Sequence, residues 1–270
     1  MSDASPQNRT RIVAITNQKG GVGKTTTAIN LAAALIERGK RVILIDLDPQ
    51  GNASTGLGIE ADEREHSTYD LLLDDAPLTS VIQPTSLDGL FISPATTDLS
   101  SADMELVSNE KRSFLLHNAL RHASVNSLEI DYILIDCPPS LNQLTINAMV
   151  AAHSVLVPLQ AEFFALEGLS QLMLTVREVR QSANPDLRID GIVLTMYDVR
   201  NNLSQQVEAD ARATLGPLVF KTMIPRNVRV SEAPSYAMPV LSYDSSSRGA
   251  EAYRALASEF LTNHATQARG

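Results

Sequence analysis

Glycines and lysines in the segment NQKGGVGKTTT have the types and spacing of a phosphate-binding loop. The pattern G-x-x-x-x-G-K-[ST] is matched at Gly23, Lys24 and Thr25, but Gln18 stands where the first glycine is usual. Backbone N–H groups of glycines can converge on phosphate oxygens because no Cβ intervenes. Lys24 would neutralise the β- and γ-phosphates of a nucleotide, and the Thr25 hydroxyl would complete a Mg²⁺ shell. A second lysine, Lys19, precedes the glycines and is not explained by this pattern.

Magnesium also needs carboxylates, and aspartates end two apolar runs. VILIDLDPQGN contains Asp46 and Asp48, and YILIDCPPS contains Asp136. Ligands bind at the carboxyl ends of the strands in open α/β sheets, so both segments are candidates for a metal site. Asp136 suits the aspartate that reaches the metal, usually through a bound water. Asp46 and Asp48 share a face if the strand continues, and the later one then lies nearer the loop. The choice between them stays open.

Apolar runs that alternate with amphipathic stretches predict the elements that position these groups. Five runs are rich in Val, Ile and Leu on both faces, as buried parallel strands are: RIVAIT, RVILID, YILID, SVLVPL and GIVLTM. Helical spacing is found at 24–38, 166–181, 203–215 and 249–264. The order predicts a single-domain α/β fold, with a mostly parallel twisted sheet flanked by helices on both faces. We expect a flexible tail at 1–10, one domain over 11–264, and a flexible C-terminus at 265–270.

Composition excludes several kinds of protein. No apolar run reaches the roughly 18 residues of a membrane span, and the N-terminal residues lack the apolar centre of a signal peptide. A single cysteine, Cys137, excludes a disulfide framework and a cysteine-ligated zinc site built by one chain. The expected location is therefore cytoplasmic. The net charge of −9 disfavours a bulk electrostatic binder of DNA or anionic membranes, so any DNA contact needs a local basic patch.

Five ordered segments together resemble the ParA/Soj chromosome-partitioning ATPases, deviant Walker A members of the P-loop NTPases related to MinD: KGGVGKTT, DLDPQGN, DCPPS, IPRNVRVSEAPS and SRGAEAYRALA. The resemblance runs from about Arg11 to about Phe260. It implies slow hydrolysis of ATP with Mg²⁺, and an ATP-bound sandwich homodimer that binds double-stranded DNA non-specifically. It further implies a ParB-type centromere-binding partner that stimulates hydrolysis and releases the dimer, and association with the bacterial nucleoid.

The resemblance also assigns roles to residues. Lys19 resembles a signature lysine that reaches across the dimer interface to the partner's nucleotide, where a cation stabilises the charge that develops in phosphoryl transfer. Asp48 resembles the aspartate that orients the attacking water, and Asp136 resembles the Walker B aspartate. Lys19 and Asp48 are thus the expected catalytic residues, and Thr25, Asp48 and Asp136 the expected metal site. The expected ATP contacts are Lys19, Gly20, Gly21, Val22, Gly23, Lys24, Thr25, Thr26, Pro225 and Asn227.

Arginines supply the basic patch that the resemblance implies for DNA. Arg200 in MYDVRNN and Arg229 in PRNVRVSE stand at the matching positions. Arg226 and Lys221 are further candidates for DNA contact, and Arg248 adds positive charge nearby. Phosphate contacts of this kind are independent of DNA sequence and sensitive to salt.

Other functions on the same fold are weighed against this one. A MinD-like membrane-cycling ATPase would need a basic amphipathic C-terminal helix, whereas ASEFLTNHATQARG contains one basic residue and few apolar ones. We therefore expect no membrane contact, and keep the MinD-like function as the alternative. An iron–sulfur relative would need paired cysteines. A metabolic ligase would not explain PRNVRVSEAPS, and a dinucleotide-binding oxidoreductase would need G-x-G-x-x-G.

Overall fold

The computed structural model describes residues 10–106, 112–162 and 165–267. Within them, seven strands form one sheet in the order β3-β4-β2-β5-β1-β6-β7. Only β3 and β4 pair antiparallel; the other neighbours pair in parallel. The strands are β1 (Arg11–Ile15), β2 (Val42–Asp46), β3 (Gln83–Pro84), β4 (Leu90–Ser93), β5 (Tyr132–Asp136), β6 (Ser154–Gln160) and β7 (Arg188–Thr195).

The predicted α/β fold is confirmed, and each of the five predicted strands lies in the sheet. The sequence patterns missed β3 and β4. Strand β4 has only four residues, LFIS, yet it pairs with β2 over its whole length and is largely buried. A run this short carries too little periodicity to be told from a loop.

Helices cover both faces of the sheet. Their bounds are α1 (Lys24–Ile36), α2 (Asn52–Gly56), α3 (Thr68–Leu73), α4 (Leu78–Val81), α5 (Leu99–Leu106), α6 (Leu115–Leu120), α7 (Ala123–Asn126), α8 (Gln143–Ala151), α9 (Ala165–Ser182), α10 (Asn202–Leu215), α11 (Val228–Glu232), α12 (Val240–Tyr243) and α13 (Arg248–Gln267). Short 3₁₀ turns occur at Ala61–Glu63, Gly216–Leu218 and Ala233–Tyr236. The four predicted helices correspond to α1, α9, α10 and α13.

The predicted tails fall partly outside the described residues. Residues 1–9 and 268–270 are not among them, so the predicted flexibility of those segments stays a prediction. Residues 265–267, assigned to the flexible C-terminus, are helical, because α13 continues to Gln267.

The two faces of the sheet bury separate apolar clusters. Alternate side chains of a strand point to opposite faces. In β1, Val13 and Ile15 join the cluster covered by α1 and α13, while Ile12 and Ala14 join the cluster covered by α6, α8 and α9. This alternation fixes the register of β1 and therefore the place where its loop leaves the sheet.

A buried polar cluster near the starts of β1, β6 and β7 connects α13 to the sheet. One carboxylate oxygen of Asp190 accepts hydrogen bonds from the Ser154 hydroxyl at 2.6 Å and from Nε2 of His264 at 2.8 Å. The other lies 3.3 Å from the Arg11 guanidinium. Burial alone raises the pKa of Asp190, but these hydrogen bonds and the charge of Arg11 hold the pKa below its ordinary value. The ionised carboxylate thus fixes the last turns of α13.

Candidate nucleotide-binding site

The glycine-rich loop joins the end of β1 to the start of α1. Gly21 and Gly23 have φ of 74° and 86°, in the left-handed region that favours glycine. The loop therefore turns sharply and delivers Lys24 as the first residue of α1. The Lys24 ammonium donates to the carbonyl oxygen of Lys19 at 2.9 Å, which folds this side chain over the loop. Burial lowers the pKa of Lys24, and the nearby charges of Asp136 and Asp48 oppose that change.

Two buried side chains that the sequence patterns did not single out fasten the loop. Asn17 donates through its amide nitrogen to the Pro158 carbonyl at 2.8 Å, and its amide oxygen accepts the N–H of Lys19 at 3.0 Å. The Thr195 hydroxyl, at the end of β7, donates to the Val22 carbonyl at 2.8 Å. Val22 itself is buried. The shape of the loop is thus held from β6 and β7 as well as by its own glycines.

An open cavity of about 470 Å³ lies in front of the loop. Its lining includes seven of the predicted site residues: Gly20, Gly21, Gly23, Lys24, Thr25, Thr26 and Asp48. Asn30, Met196 and Met238 contribute to other walls of the same cavity and were not predicted. The cavity combines a phosphate-binding loop, a cation and a carboxylate, as a Mg²⁺–nucleotide site requires.

Asp136 lies fully buried beside the loop. Neither of its carboxylate oxygens forms a hydrogen bond of normal geometry with any residue that the structure describes. Burial and the carboxylates of Asp46 and Asp48 raise its pKa well above the usual value, against the influence of Thr25 and Lys24. Buried polar atoms without partners are rare in proteins, and a site that binds a cation explains them. The oxygen donors of Thr25, Asp48 and Asp136 fit Mg²⁺.

The described residues do not include three His, Cys, Asp or Glu side chains gathered into a preformed metal cage. Magnesium at phosphate sites is usually held by one or two carboxylates together with waters and the phosphates themselves. The donor set at this loop, with the carboxylates of Asp48 and Asp136, matches such a magnesium site rather than a preformed cage.

Asp46 and Asp48 have different surroundings. Asp46 is fully buried, and one of its oxygens accepts from the N–H and the hydroxyl of Ser54 at 2.8 and 2.7 Å. Its other oxygen accepts the N–H of Asp48 at 3.2 Å. Burial raises the pKa of Asp46 to about 6, although the hydrogen bonds from Ser54 oppose the rise. Asp46 therefore fastens the turn after β2, whereas Asp48 lines the cavity.

Lys19 lies outside the lining of the cavity and pairs with Glu162, just beyond β6. The ammonium and the carboxylate are 2.8 Å apart, and the two side chains are 42% and 44% exposed. Glu162 was not predicted, because it is distant from Lys19 in sequence and carries no motif. The two lysines of the loop thus face different surroundings: Lys24 is buried at its own loop, and Lys19 is at the surface.

Pro225 and Asn227 lie apart from the lining of this cavity. Pro225 lines a separate cavity with Arg200, Arg226 and Arg248. The amide oxygen of Asn227 accepts the N–H groups of Arg229 and Val230, so Asn227 caps α11. Contact of Pro225 and Asn227 with adenine stays a prediction.

The candidate DNA-binding residues are all exposed at the surface. Arg200 and Arg226 line one cavity, whereas Arg229 on α11 contacts the carboxylates of Glu232 and Asp244 at 2.9 and 3.3 Å. Lys221 directly follows Phe220, and its backbone N–H donates to Glu259 at 2.8 Å. The structure thus groups two of the four candidates.

Known proteins resemble the chain over almost its whole length. A family model described as an AAA domain matches residues 10–189. The chromosome partitioning protein ParA of Caulobacter vibrioides is 56% identical over 255 residues, which cover 94% of this chain and 95% of that protein. The sporulation initiation inhibitor protein Soj of Bacillus subtilis is 53% identical over 253 residues, covering 94% and 99%.

Solved structures agree on the fold. A Mycobacterium smegmatis protein named as cobyrinic acid a,c-diamide synthase, solved with bound ADP and magnesium, is 39% identical. The structural alignment covers 93% of each chain, with a TM-score of 0.80. The partitioning proteins share more sequence with this chain than the synthase does.

Proposed function

Because the chain belongs to the ParA/Soj family of chromosome-partitioning ATPases, we propose that it is an ATP-dependent dimerisation switch for DNA segregation. The ATP-bound homodimer would bind double-stranded DNA without sequence preference at the nucleoid. A ParB-type centromere-binding partner would stimulate hydrolysis and so release the dimer. The net charge of −9 suits contact with a basic segment of that partner.

The position of Lys19 carries this proposal. The Lys24 ammonium donates a hydrogen bond to a carbonyl oxygen of its own loop. The Lys19 ammonium instead lies at the surface, in an ion pair with Glu162. An exposed ion pair of this kind contributes little stability and is easily exchanged for another anion. The nucleotide of a facing subunit offers such an anion. A lysine supplied by the partner is a cation at the transferring phosphoryl group. Nucleotide binding and dimerisation then depend on each other.

The cavity in front of the loop fits ATP with Mg²⁺. Mg²⁺, when bound, would neutralise charge that develops on the phosphates. The loop N–H groups and Lys24 would hold the phosphate oxygens. Thr25, Asp48 and Asp136 would hold the metal, Asp136 through a water. Asp48 would orient the attacking water. Thr26 at the start of α1 would contact the α-phosphate.

Substitution of the buried threonine that fastens the loop tests this fit. Thr195→Val keeps the shape of the side chain but removes the donor to the Val22 carbonyl. We expect ATP to bind up to about tenfold more weakly, because the loop loses one net hydrogen bond, worth about 0.5–1.5 kcal/mol, that holds it in its nucleotide-binding shape. Isothermal titration with Mg-ATP measures the change. Thr175→Val removes a comparable buried hydroxyl from α9 and should leave affinity unchanged; equal losses in the two variants would contradict the assigned role.

The decisive test of the function is binding to a random-sequence duplex with ATP, with ADP and without nucleotide, at two salt concentrations. Salt-sensitive binding that requires ATP supports the segregation switch. Anionic liposomes serve as the parallel surface, and binding to liposomes alone would favour the MinD-like alternative.

The described part of α13 buries Tyr253, Leu256 and Phe260 in the core, so its apolar side is already covered. Among the described residues, no helix is both long and apolar enough to cross a membrane.

Arg229→Ala is expected to weaken DNA binding about threefold to tenfold and to leave ATP-dependent dimerisation intact. The side chain is half exposed and does not line the nucleotide cavity. Loss of each phosphate contact should also reduce the slope of log K against log salt by about 0.9. Fluorescence anisotropy at several salt concentrations gives both quantities. The control is Arg188→Ala, which changes an exposed arginine at the start of β7. Unchanged affinity and slope in Arg229→Ala would remove this residue from the DNA surface.

A further inference from the structure

A second cavity, distinct from the one in front of the phosphate loop, is lined by several arginines. It has a volume of about 720 Å³ and lies between the end of β7, the segment before α11 and the first turns of α13. Its charged lining consists of Arg200, Arg226 and Arg248 with the carboxylates of Asp198 and Glu251. Three guanidinium groups against two carboxylates leave a local positive charge on a chain whose net charge is −9.

One of these carboxylates already occupies the guanidinium of Arg200. Both oxygens of Asp198 lie 3.0 Å from nitrogens of Arg200, in a two-pronged contact. One of the same oxygens also accepts the backbone N–H of Arg200 at 3.0 Å. Hydrogen bonds from Arg200 lower the pKa of Asp198 to about 2, and the charge of Arg226 acts in the same direction. Asp198 is therefore a charged counter-ion at neutral pH.

Phosphate and carboxylate contact a guanidinium through the same planar pair of N–H groups. Asp198 occupies the edge of the Arg200 guanidinium formed by Nε and Nη2. A phosphate that uses this edge must replace Asp198, and one that binds through Nη1 lies beside a carboxylate that repels it. The exchange is accessible, because the Arg200 side chain is 86% exposed and ion pairs at such exposure contribute little stability. Arg226 and Arg248 lie on the same cavity and would hold the remaining phosphate oxygens.

We infer that this cavity binds a backbone phosphate of DNA through Arg200, Arg226 and Arg248, and that Asp198 is the internal carboxylate that competes with the phosphate for Arg200. The inference rests on the proposed DNA binding and adds two residues to it: Arg248 as a contact and Asp198 as the group that limits affinity. Arg229 is paired in a similar way with Glu232 and Asp244. Carboxylates of the chain thus compete with DNA at both positions, and a single subunit binds weakly.

Asp198→Asn tests the competitor. The amide oxygen of Asn can still accept the backbone N–H of Arg200, so the turn is kept while the charge is lost. We expect Mg-ATP-loaded protein to bind a random-sequence duplex at least threefold more tightly than wild type. Asp88→Asn makes the same change in net charge at an exposed position before β4, near the far edge of the sheet, and should leave affinity within about 1.5-fold. Equal affinities of Asp198→Asn and Asp88→Asn would overturn the role of Asp198.

Arg248→Ala tests the cavity independently. We expect at least threefold weaker DNA binding, with Arg188→Ala as the matched control and ATP-dependent dimerisation by size exclusion as the check on folding. Wild-type affinity in Arg248→Ala would remove the cavity from the DNA surface. These failures are distinct from failure of the proposed function, which wild-type protein would reveal by binding no duplex in any nucleotide state.

Discussion

Asp48→Ala is expected to lower the rate of ATP hydrolysis by about 100-fold or more while ATP-bound dimers still form. The Asp48 carboxylate lines the nucleotide cavity, and one of its oxygens accepts the N–H of Gln50 at 3.0 Å. That contact steers the side chain within a short turn without using both oxygens. A carboxylate that positions or activates an attacking water contributes about 10²–10⁴-fold to rate. The phosphate loop does not depend on Asp48, so nucleotide binding should persist.

The measurement is single-turnover hydrolysis of ATP, together with the dimer fraction by light scattering. Accumulation of dimers with slow hydrolysis is the expected pair of results. Asp62→Ala, an exposed aspartate in the 3₁₀ turn after α2, controls for the loss of charge. Hydrolysis by Asp48→Ala at the wild-type rate would show that another group orients the water. Asp46 would then be the next residue to substitute, although it also fastens the turn after β2.

The choice between Asp46 and Asp48 shows what the sequence could not provide. Strand alternation predicts that both share a face if β2 continues. In the structure β2 ends at Asp46, and the chain then turns, so alternation no longer applies. What separates the two residues is Ser54, whose N–H and hydroxyl occupy one oxygen of Asp46. No local pattern in the sequence predicts that contact.

Features with a strong local signal were predictable. The phosphate loop is a contiguous motif, and the five strands are continuous apolar runs with buried side chains on both faces. These signals depend only on neighbours in sequence. Thr195 lies 173 residues from the loop carbonyl that it binds, and Glu162 lies 143 residues from Lys19. Such contacts follow from the order of strands in the sheet, which periodicity does not contain.

Lys19→Ala is expected to abolish ATP-dependent dimerisation and, with it, hydrolysis and DNA binding, while the monomer still binds ATP. Lys19 lies outside the lining of its own nucleotide cavity, and its ammonium pairs with Glu162 at the surface. Removing that side chain should therefore change the affinity of the monomer for nucleotide by less than about threefold. A cation supplied in trans to a transferring phosphoryl group contributes about 10³–10⁵-fold to rate, so hydrolysis should fall by at least that lower bound.

Glu162→Gln distinguishes loss of the lysine from loss of the ion pair. This variant removes the negative charge of the pair but keeps Lys19, and it weakens the side chain that competes with the partner's nucleotide for the ammonium. We expect its dimers to form at an equal or lower ATP concentration than wild type, measured by light scattering across an ATP titration. Dimerisation lost equally in both variants would mean that the Lys19–Glu162 pair supports the interface directly. Dimers retained in Lys19→Ala would contradict the exchange of Lys19 between subunits, and with it the reason that this loop carries a second lysine.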